Sequence, residues 1–206
     1  MATGTGFTAV ALALRVKQVV ATDITKEMLG EAQKLAKQKN IGNIRFETAR
    51  ADRLQYKDET FDIVSTRRAA HHFDNINGFL SESYRVLKLG GRLGLVDMSP
   101  VQDTESFCNT IERLRDKTHR EALSPAEWKS RVEKAGFSIV RLETITEKVS
   151  FERWLYPVKM GGVEELSIRK EWEMADLKVR ILLKVIENEQ IESWLKTRIV
   201  LIAKRS

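Results

Sequence analysis

The chain has 206 residues, of which 42% are hydrophobic and 31% charged, a balance typical of a globular protein with a substantial core. Its formal net charge is +6, but Lys and Arg alternate with Asp and Glu, which favours a solvated basic surface over a nucleic-acid groove. The single cysteine, Cys108, excludes an intrachain disulfide and a multi-cysteine zinc site.

The longest apolar stretch, residues 7–14, is too short to span a bilayer, and no basic-then-apolar leader is visible. We therefore expect a cytoplasmic protein without stable membrane insertion. No cluster of metal ligands stands out in the sequence, and no metal is expected.

The first element is a glycine turn that enters a helix over residues 6–15. A short strand pattern at 17–22 follows and ends at Asp23. A glycine turn at a helix start, followed by an acid closing the next strand, is how βαβ folds hold an adenosine-containing ligand. Gly4 and Gly6 would let the backbone approach such a ligand, and the Asp23 carboxylate would accept hydrogen bonds from ribose hydroxyls.

Strands and helices then alternate along the first half. A helix capped at Thr25 is predicted to about residue 39. The remaining predicted elements are strands at 44–48 and 61–65, a helix at 76–88 and a strand at 92–97. This alternation predicts an α/β fold with a parallel sheet covered by helices on both faces.

The second half changes character. The patterns predict helices at 103–119 and 125–135, a strand at 137–144, helical structure without a strand at 150–188, and a final strand at 197–203. No linker divides the chain, so a single domain over 1–206 is expected. Residues 1–100 would form a cofactor-binding half, with 101–125 and 150–190 as substrate cover segments.

Four blocks, in this order, resemble class I S-adenosylmethionine-dependent methyltransferases, in the ubiquinone/menaquinone methylase-like (type 11) branch: ATGTGFTAVALA, VVATDITKEML, LQYKDETFDIVSTRRAAHHF and FLSESYRVLKLGGRLGLVD. The resemblance is close over residues 2–98 and looser through SPAEWKSRVEKAGF. It implies a Rossmann-like, doubly wound and mostly parallel sheet, S-adenosyl-L-methionine as cofactor and S-adenosyl-L-homocysteine as product. It also implies methyl transfer to an oxygen or carbon of a small-molecule acceptor.

The resemblance also implies a cofactor site. Gly4 and Gly6 would line the methionine and ribose, Asp23 would bind the ribose diol, and Ile24 and Met28 would pack on adenine. The whole implied set is Thr3, Gly4, Gly6, Asp23, Ile24, Met28, Ala51, Asp52 and Arg67. Two plainer interpretations stay open: Asp23 as a helix cap only, and the glycines as an ordinary loop.

The sequence departs from the family at the adenine site. Where the family usually has an Asp-Ala pair, this chain has Arg50 and Ala51. Arginine cannot accept a hydrogen bond from the adenine amine. Asp52 would then substitute for the missing acid, or remain an ordinary solvated loop acid.

The segment after the strand at 61–65 carries the candidate catalytic residues, Arg67, His71 and His72. Ligands of open α/β sheets lie at the carboxyl ends of strands. A histidine there would accept a proton as methyl transfer proceeds, and Arg67 would bind an acidic substrate. Alternatively, the histidines only cap backbone groups or pack below the cofactor, and Arg67 pairs with a carboxylate.

Cys108 and His119 fall in a cover segment and are expected to be a buried small residue and a surface imidazole. The tryptophans are expected to pack in the core or the cover rather than to form an aromatic cage.

Family members carry a central strand just before the glycine turn, and here Met1 falls after its position. An open sheet centre leaves two backbone edges unpaired, at about 1–3 kcal/mol for each unsatisfied buried group. Three explanations are open: a longer natural chain, direct closure of the gap by the flanking strands, or a second copy that fills it as a homodimer.

Three other functions remain as alternatives. The first is a non-catalytic, oligomeric relative of the methyltransferases. The second is RNA methylation, which rests only on the basic charge. The third is a nicotinamide-dependent dehydrogenase, which would share the glycine turn and Asp23 but not the blocks that follow. The expected partner is a small-molecule acceptor, and no nucleic acid is expected.

Overall fold

The computed structural model describes residues 1–188 and 190–206. Its first half contains α1 (Phe7–Ala13), β1 (Val19–Asp23), α2 (Lys26–Gln38), β2 (Ile44–Thr48), β3 (Phe61–Arg67), a short 3-10 turn (Ala70–His72), α3 (Ile76–Val86) and β4 (Leu87–Met98). Its second half contains α4 (Glu105–Arg115), α5 (Pro125–Lys134), β5 (Phe137–Ser150), α6 (Phe151–Leu155), α7 (Val163–Glu173), α8 (Leu177–Leu182), β6 (Ile186–Glu187) and β7 (Ile191–Arg205).

Local sequence signals account for several of the helix starts. Asn75 is the N-cap of α3, and its side-chain oxygen accepts a hydrogen bond from the Gly78 amide at 2.8 Å. Ser124 begins α5 in a capping box with Glu127, whose carboxylate accepts from the Ser124 amide at 2.8 Å. Thr25 occupies the cap position of α2 as expected, although its side chain makes no capping hydrogen bond.

The predicted α/β class is confirmed, with the strands in two sheets. One sheet has the order β3-β4-β7-β5, with β6 paired to β7, and the other pairs β1 with β2. β1 and β2 are parallel, as are β3 and β4, whereas β7 is antiparallel to both β4 and β5. The parallel strands therefore bring their carboxyl ends to one edge, where open α/β sheets place their ligands.

The sheet is open between β1 and β3, which do not pair with each other in the part of the chain that the structure describes. A slot of about 450 Å³ lies between them. The chain start crosses it: the Met1 amino group donates to the Ser65 carbonyl at 2.6 Å, and the Thr3 amide donates to the Thr22 carbonyl at 2.8 Å. Direct closure of the gap by the flanking strands, one of the three explanations above, is therefore not what this structure shows.

The second half has more strand than the sequence pattern predicts. β5 extends to Ser150 and β7 begins at Ile191, so they pair along nearly their whole lengths. The region 150–188 was expected to be helical without a strand. It contains α6, α7 and α8, and also the short strand β6, which pairs with the amino-terminal part of β7.

Two hydrophobic cores stabilise the molecule. The larger lies against the β3-β4-β7 part of the sheet and includes Phe79, Leu93, Trp128 and Leu201. The smaller lies under α4, α6 and α7 and gathers buried aromatic side chains: Phe151, Trp154, Trp172 and Trp194. The tryptophans thus pack in cores, as expected. Among the described residues, no helix is long and apolar enough to cross a membrane.

Candidate active site

A cavity of about 610 Å³ opens at the carboxyl ends of β1 and β3. Its wall is built from four places: the glycine turn before α1, the start of α2, the loop after β2, and the segment after β3. Residues 118 and 120, from the loop after α4, close one side. The carboxyl edge of the sheet and a cover segment thus meet around one space.

Asp23, at the end of β1, holds the glycine turn in place. Its Oδ2 accepts a hydrogen bond from the Gly4 amide at 2.8 Å, and its Oδ1 accepts one from the Thr25 amide at 3.0 Å. Asp23 is buried but lines the cavity. Each carboxylate oxygen has a second lone pair, so the side chain remains able to accept further hydrogen bonds.

The two glycines of the turn have different reasons to be glycine. Gly4 has φ +51°, and a Cβ there would meet no atom within 4 Å, so it leaves open space beside the cavity. Gly6 has φ +88°, and a Cβ there would lie 2.7 Å from the Cβ of Ala32. Gly4 therefore permits a ligand to approach the backbone, whereas Gly6 permits α1 to pack closely on α2.

An apolar wall lies beside Asp23. Ile24 is 61% exposed and Met28 is 42% exposed, and both line the cavity. Large apolar side chains left exposed in a cavity indicate a surface that a flat ring covers. Thr3 and Ala51 also line this space.

Asp52 lines the cavity, but both of its oxygens bind Arg50. The Arg50 Nε donates to Oδ1 and its Nη2 donates to Oδ2, each at 2.9 Å. The paired guanidinium lowers the pKa of Asp52, so the acid stays ionised. The structure thus brings Asp52 to the cavity, and its carboxylate is there shared with Arg50.

Arg67 and Arg68 follow each other at the end of β3, and both line the cavity. The Arg67 Nε donates to the Thr8 hydroxyl in α1 at 2.9 Å rather than to a carboxylate. The backbone of Arg68 has φ +55°, in a region that residues other than glycine and asparagine rarely adopt. Its amide is fixed by the Val96 carbonyl at 2.7 Å.

Of the two candidate histidines, only His72 lines the cavity. Its Nδ1 lies 3.1 Å from both the carbonyl oxygen and the hydroxyl oxygen of Thr118. Burial, followed by the proximity of His71, lowers the pKa of His72 below its usual value. The imidazole is therefore neutral at pH 7, and donation from Nδ1 to Thr118 leaves Nε2 as the basic nitrogen.

His71 lies behind His72 and is buried. Its Nδ1 is 2.6 Å from Asp97 Oδ1, and its amide donates to Asp97 Oδ2 at 3.0 Å. The two imidazoles are in contact, with ring centroids 4.0 Å apart. His71 therefore acts on the cavity only through His72.

His119, expected at the surface, is instead buried. Its Nε2 donates to the Asn109 side-chain oxygen at 2.7 Å, and burial lowers the pKa of this imidazole to about 4. Its ring centroid lies 5.6 Å from that of His71. Cys108 is half-buried as expected, and burial raises the pKa of its thiol to about 11, so it is a poor nucleophile.

Sequence reasoning did not single out Thr118, Asp97 or Arg68. Asp97 had a signal, because it is an acid at the carboxyl end of a predicted buried strand, where ligands and site residues gather. No such signal in the sequence pointed to Thr118, because it lies 46 residues from His72 and only the folded loop brings the two together.

The residues present fit S-adenosylmethionine. A carboxylate with free lone pairs, a glycine without a Cβ, and an exposed apolar wall stand together at one end of the cavity, as the ribose, methionine and adenine parts require. The His72 side chain lines the same cavity.

The chain is similar to known methyltransferases. A family model described as "Methyltransferase domain" matches residues 1–95. The uncharacterized methyltransferase YcgJ of Bacillus subtilis is 34% identical over 161 residues, which cover 77% of this chain and 62% of YcgJ. The demethylmenaquinone methyltransferase of Deinococcus radiodurans is 40% identical over 102 residues, which cover 48% of this chain and 42% of that protein.

Among solved structures, the Bacillus halodurans protein BH2331, assigned as a methyltransferase, superposes with a TM-score of 0.93 at 31% identity. The superposition covers 99% of this chain and 90% of that one. The fold is the Rossmann-like α/β fold of a methyltransferase. The chain belongs to the S-adenosylmethionine-dependent methyltransferase family.

Proposed function

We propose that this protein transfers a methyl group from S-adenosylmethionine to an oxygen or carbon of a small molecule. The observation that carries the proposal is one cavity with a nucleoside-type site around Asp23 at one end and a neutral histidine, His72, at the other. Family membership supports the cofactor, and the cavity volume supports a small acceptor.

Cofactor binding falls to the residues around the glycine turn. With S-adenosylmethionine bound, Asp23 would accept hydrogen bonds from the ribose hydroxyls on its free lone pairs, and Ile24 and Met28 would pack on the adenine. Asp52, held by Arg50, would accept a hydrogen bond from the adenine amine on its remaining lone pairs. The bound cofactor would supply an activated methyl group, since its sulfonium sulfur leaves as a neutral thioether when the methyl group is transferred.

The protein then has three tasks: to align the acceptor with the methyl group, to exclude water, and to accept a proton. Alignment and exclusion belong to the cover loop after α4, which lines the cavity with Thr118 and Arg120. His72 takes the proton on Nε2 as the acceptor hydroxyl or carbon acid gains its methyl group. Thr118 fixes the tautomer that makes Nε2 available.

Methyl transfer from labelled cofactor tests this function. The chain is incubated with methyl-labelled S-adenosylmethionine and a panel of small phenols, quinols and carbon acids, and label in each product is counted. We expect transfer to at least one acceptor, and we expect His72→Gln to lower its rate about 10²- to 10⁴-fold, since a lost general base costs that much.

The pH dependence follows from the lowered pKa of His72. The base works when neutral, so the rate stays flat above pH 6.5 and falls only at lower pH, as the imidazole gains a proton.

The control variant for His72→Gln is Thr110→Val, which removes a polar side chain from the surface of α4. Label that goes to added tRNA and to none of the small molecules would contradict the proposal.

One observation favours a second candidate, a non-catalytic oligomeric relative. The slot between β1 and β3 leaves two strand edges open, and a second copy could fill it as a homodimer. The mass in solution, measured with and without S-adenosylhomocysteine, separates the candidates. A dimer that binds no cofactor supports the second candidate, and cofactor binding contradicts it.

A further inference from the structure

Four arginines line the cavity, and they differ in what they bind. Arg50 is paired with Asp52, and Arg120 with Asp74, each at 2.9 Å. Arg67 and Arg68 have no carboxylate within 4.0 Å among residues 1–188 and 190–206. Two guanidiniums therefore face the cavity with their charge uncompensated by a direct ion pair.

These two arginines serve different ends of the cavity. Arg67 is fixed to Thr8 in α1, directly after the glycine turn, and so belongs to the cofactor end. Apart from Arg67 itself, the charged groups that act on Arg68 lie on β4, β5 and β7: Asp97, Glu147 and Arg198. Arg68 therefore lines the cavity near β4, β5 and β7, whereas Arg67 is bound to α1.

The surroundings of Arg68 disfavour its charge. Although Arg68 is exposed, partial desolvation, followed by the nearby guanidiniums of Arg198 and Arg67, lowers its pKa below the usual value, more than Glu147 and Asp97 raise it. Arg198 itself is already paired with Glu147. An anion beside Arg68 would offset the repulsion from these guanidiniums. Its binding would not require an existing ion pair of Arg68 to break.

The backbone of Arg68 is also strained. Its φ of +55° costs free energy in an arginine, and glycine or asparagine would adopt this conformation more readily. Strained residues of this kind concentrate at functional sites, where the side chain itself is needed. An arginine at this position is therefore poorly explained by the stability of the fold.

We propose that Arg68 binds an anionic group of the methyl acceptor, so that the substrates of this protein are small carboxylic acids. The planar guanidinium fork matches a carboxylate in a bidentate pair. The proposal rests on the proposed function, because it assigns the second part of the cavity to the acceptor. It narrows that function from small molecules in general to acidic ones.

Calorimetric titration tests the proposal without a known acceptor. The chain is saturated with S-adenosylhomocysteine and titrated with benzoate and, separately, with the neutral analogue benzamide. We expect benzoate to bind about tenfold or more tightly than benzamide, because a charge-assisted hydrogen bond is worth that much. Equal affinities, or no binding of benzoate, would overturn the proposal.

Three variants locate the effect. Arg68→Asn removes the charge while suiting the positive φ, so it should fold with an unchanged or raised Tm. We expect Arg68→Asn to abolish the preference for benzoate over benzamide. Arg68→Lys should keep part of this preference. Arg92→Asn, which replaces an exposed arginine of β4, should leave the preference unchanged.

The affinity for S-adenosylhomocysteine separates this proposal from the proposed function. We expect Arg68→Asn to leave that affinity within about twofold, since the residue stands outside the nucleoside end. A large loss would assign Arg68 to the cofactor and overturn the proposal. If S-adenosylhomocysteine fails to bind the parent chain, the proposed function fails, and the benzoate titration of the unloaded chain still decides the role of Arg68.

Discussion

Single residues at this site combine structural and chemical roles. Asp23 fixes the glycine turn through Gly4 and the start of α2 through Thr25, so its contacts fit the helix-cap interpretation, while ribose binding stays a prediction. His72 faces the cavity because Thr118 and His71 hold it from two sides. The position of Asp23 could be predicted because a strand, an acid and a helix follow each other in the chain.

The pairing of His72 with Thr118 could not be predicted, nor could that of His71 with Asp97. Each contact joins residues that are distant in sequence and leaves no periodic signal. The burial of His119 was missed for the same reason. Only the folded loop after α4 turns this imidazole towards Asn109 and away from solvent.

His119 gives a prediction about stability and pH. Its pKa of about 4 in the folded chain lies below the value of 6.5 for a free imidazole, so the unfolded chain binds the proton more strongly. The free energy of unfolding should therefore decrease by about 2 kcal/mol between pH 7 and pH 5. Urea unfolding at both pH values measures this. An equal decrease in His119→Asn would show that other groups cause it.

At the scale of elements, the first half was more predictable than the second. The strand at Ile44–Thr48 has the predicted bounds, and α2 and α5 begin where their caps indicate. β5 and β7 are longer than predicted because the carboxyl-terminal part of β5 pairs with the amino-terminal part of β7, which also pairs with β6. Such pairing is tertiary and leaves no hydrophobic run in the sequence.

The contact between α1 and α2 gives a prediction at this scale. Gly6→Ala would place a Cβ 2.7 Å from the Cβ of Ala32 and put alanine at φ +88°. We expect the free energy of unfolding to fall by about 2–3 kcal/mol, from strain and overpacking together. Gly30→Ala, where a Cβ meets nothing within 4 Å, is the matched control and should stabilise α2 slightly. Equal stabilities of the two variants would contradict this account of the turn.

For the whole molecule, the sequence blocks indicated the class of fold and the edge of the sheet that carries the site. They could not show how the sheet accommodates the open position between β1 and β3, because that depends on the edges of strands rather than on their composition. In the structure, Met1 and Thr3 bridge the slot by hydrogen bonds at the carboxyl edge of the sheet, and the rest of the slot stays open. The glycine turn is therefore held from both sides, by Ser65 of β3 and by Thr22 of β1.

The central claim is that this turn and Asp23 form a working cofactor site, and calorimetric titration with S-adenosylhomocysteine tests it most directly. We predict one binding site per chain with a dissociation constant in the micromolar range typical of enzyme substrates. Asp23→Ala should lower the affinity at least about tenfold, because a hydrogen bond to a charged group is lost. Absence of binding to the parent chain, or equal affinity in Asp23→Ala, would contradict the account.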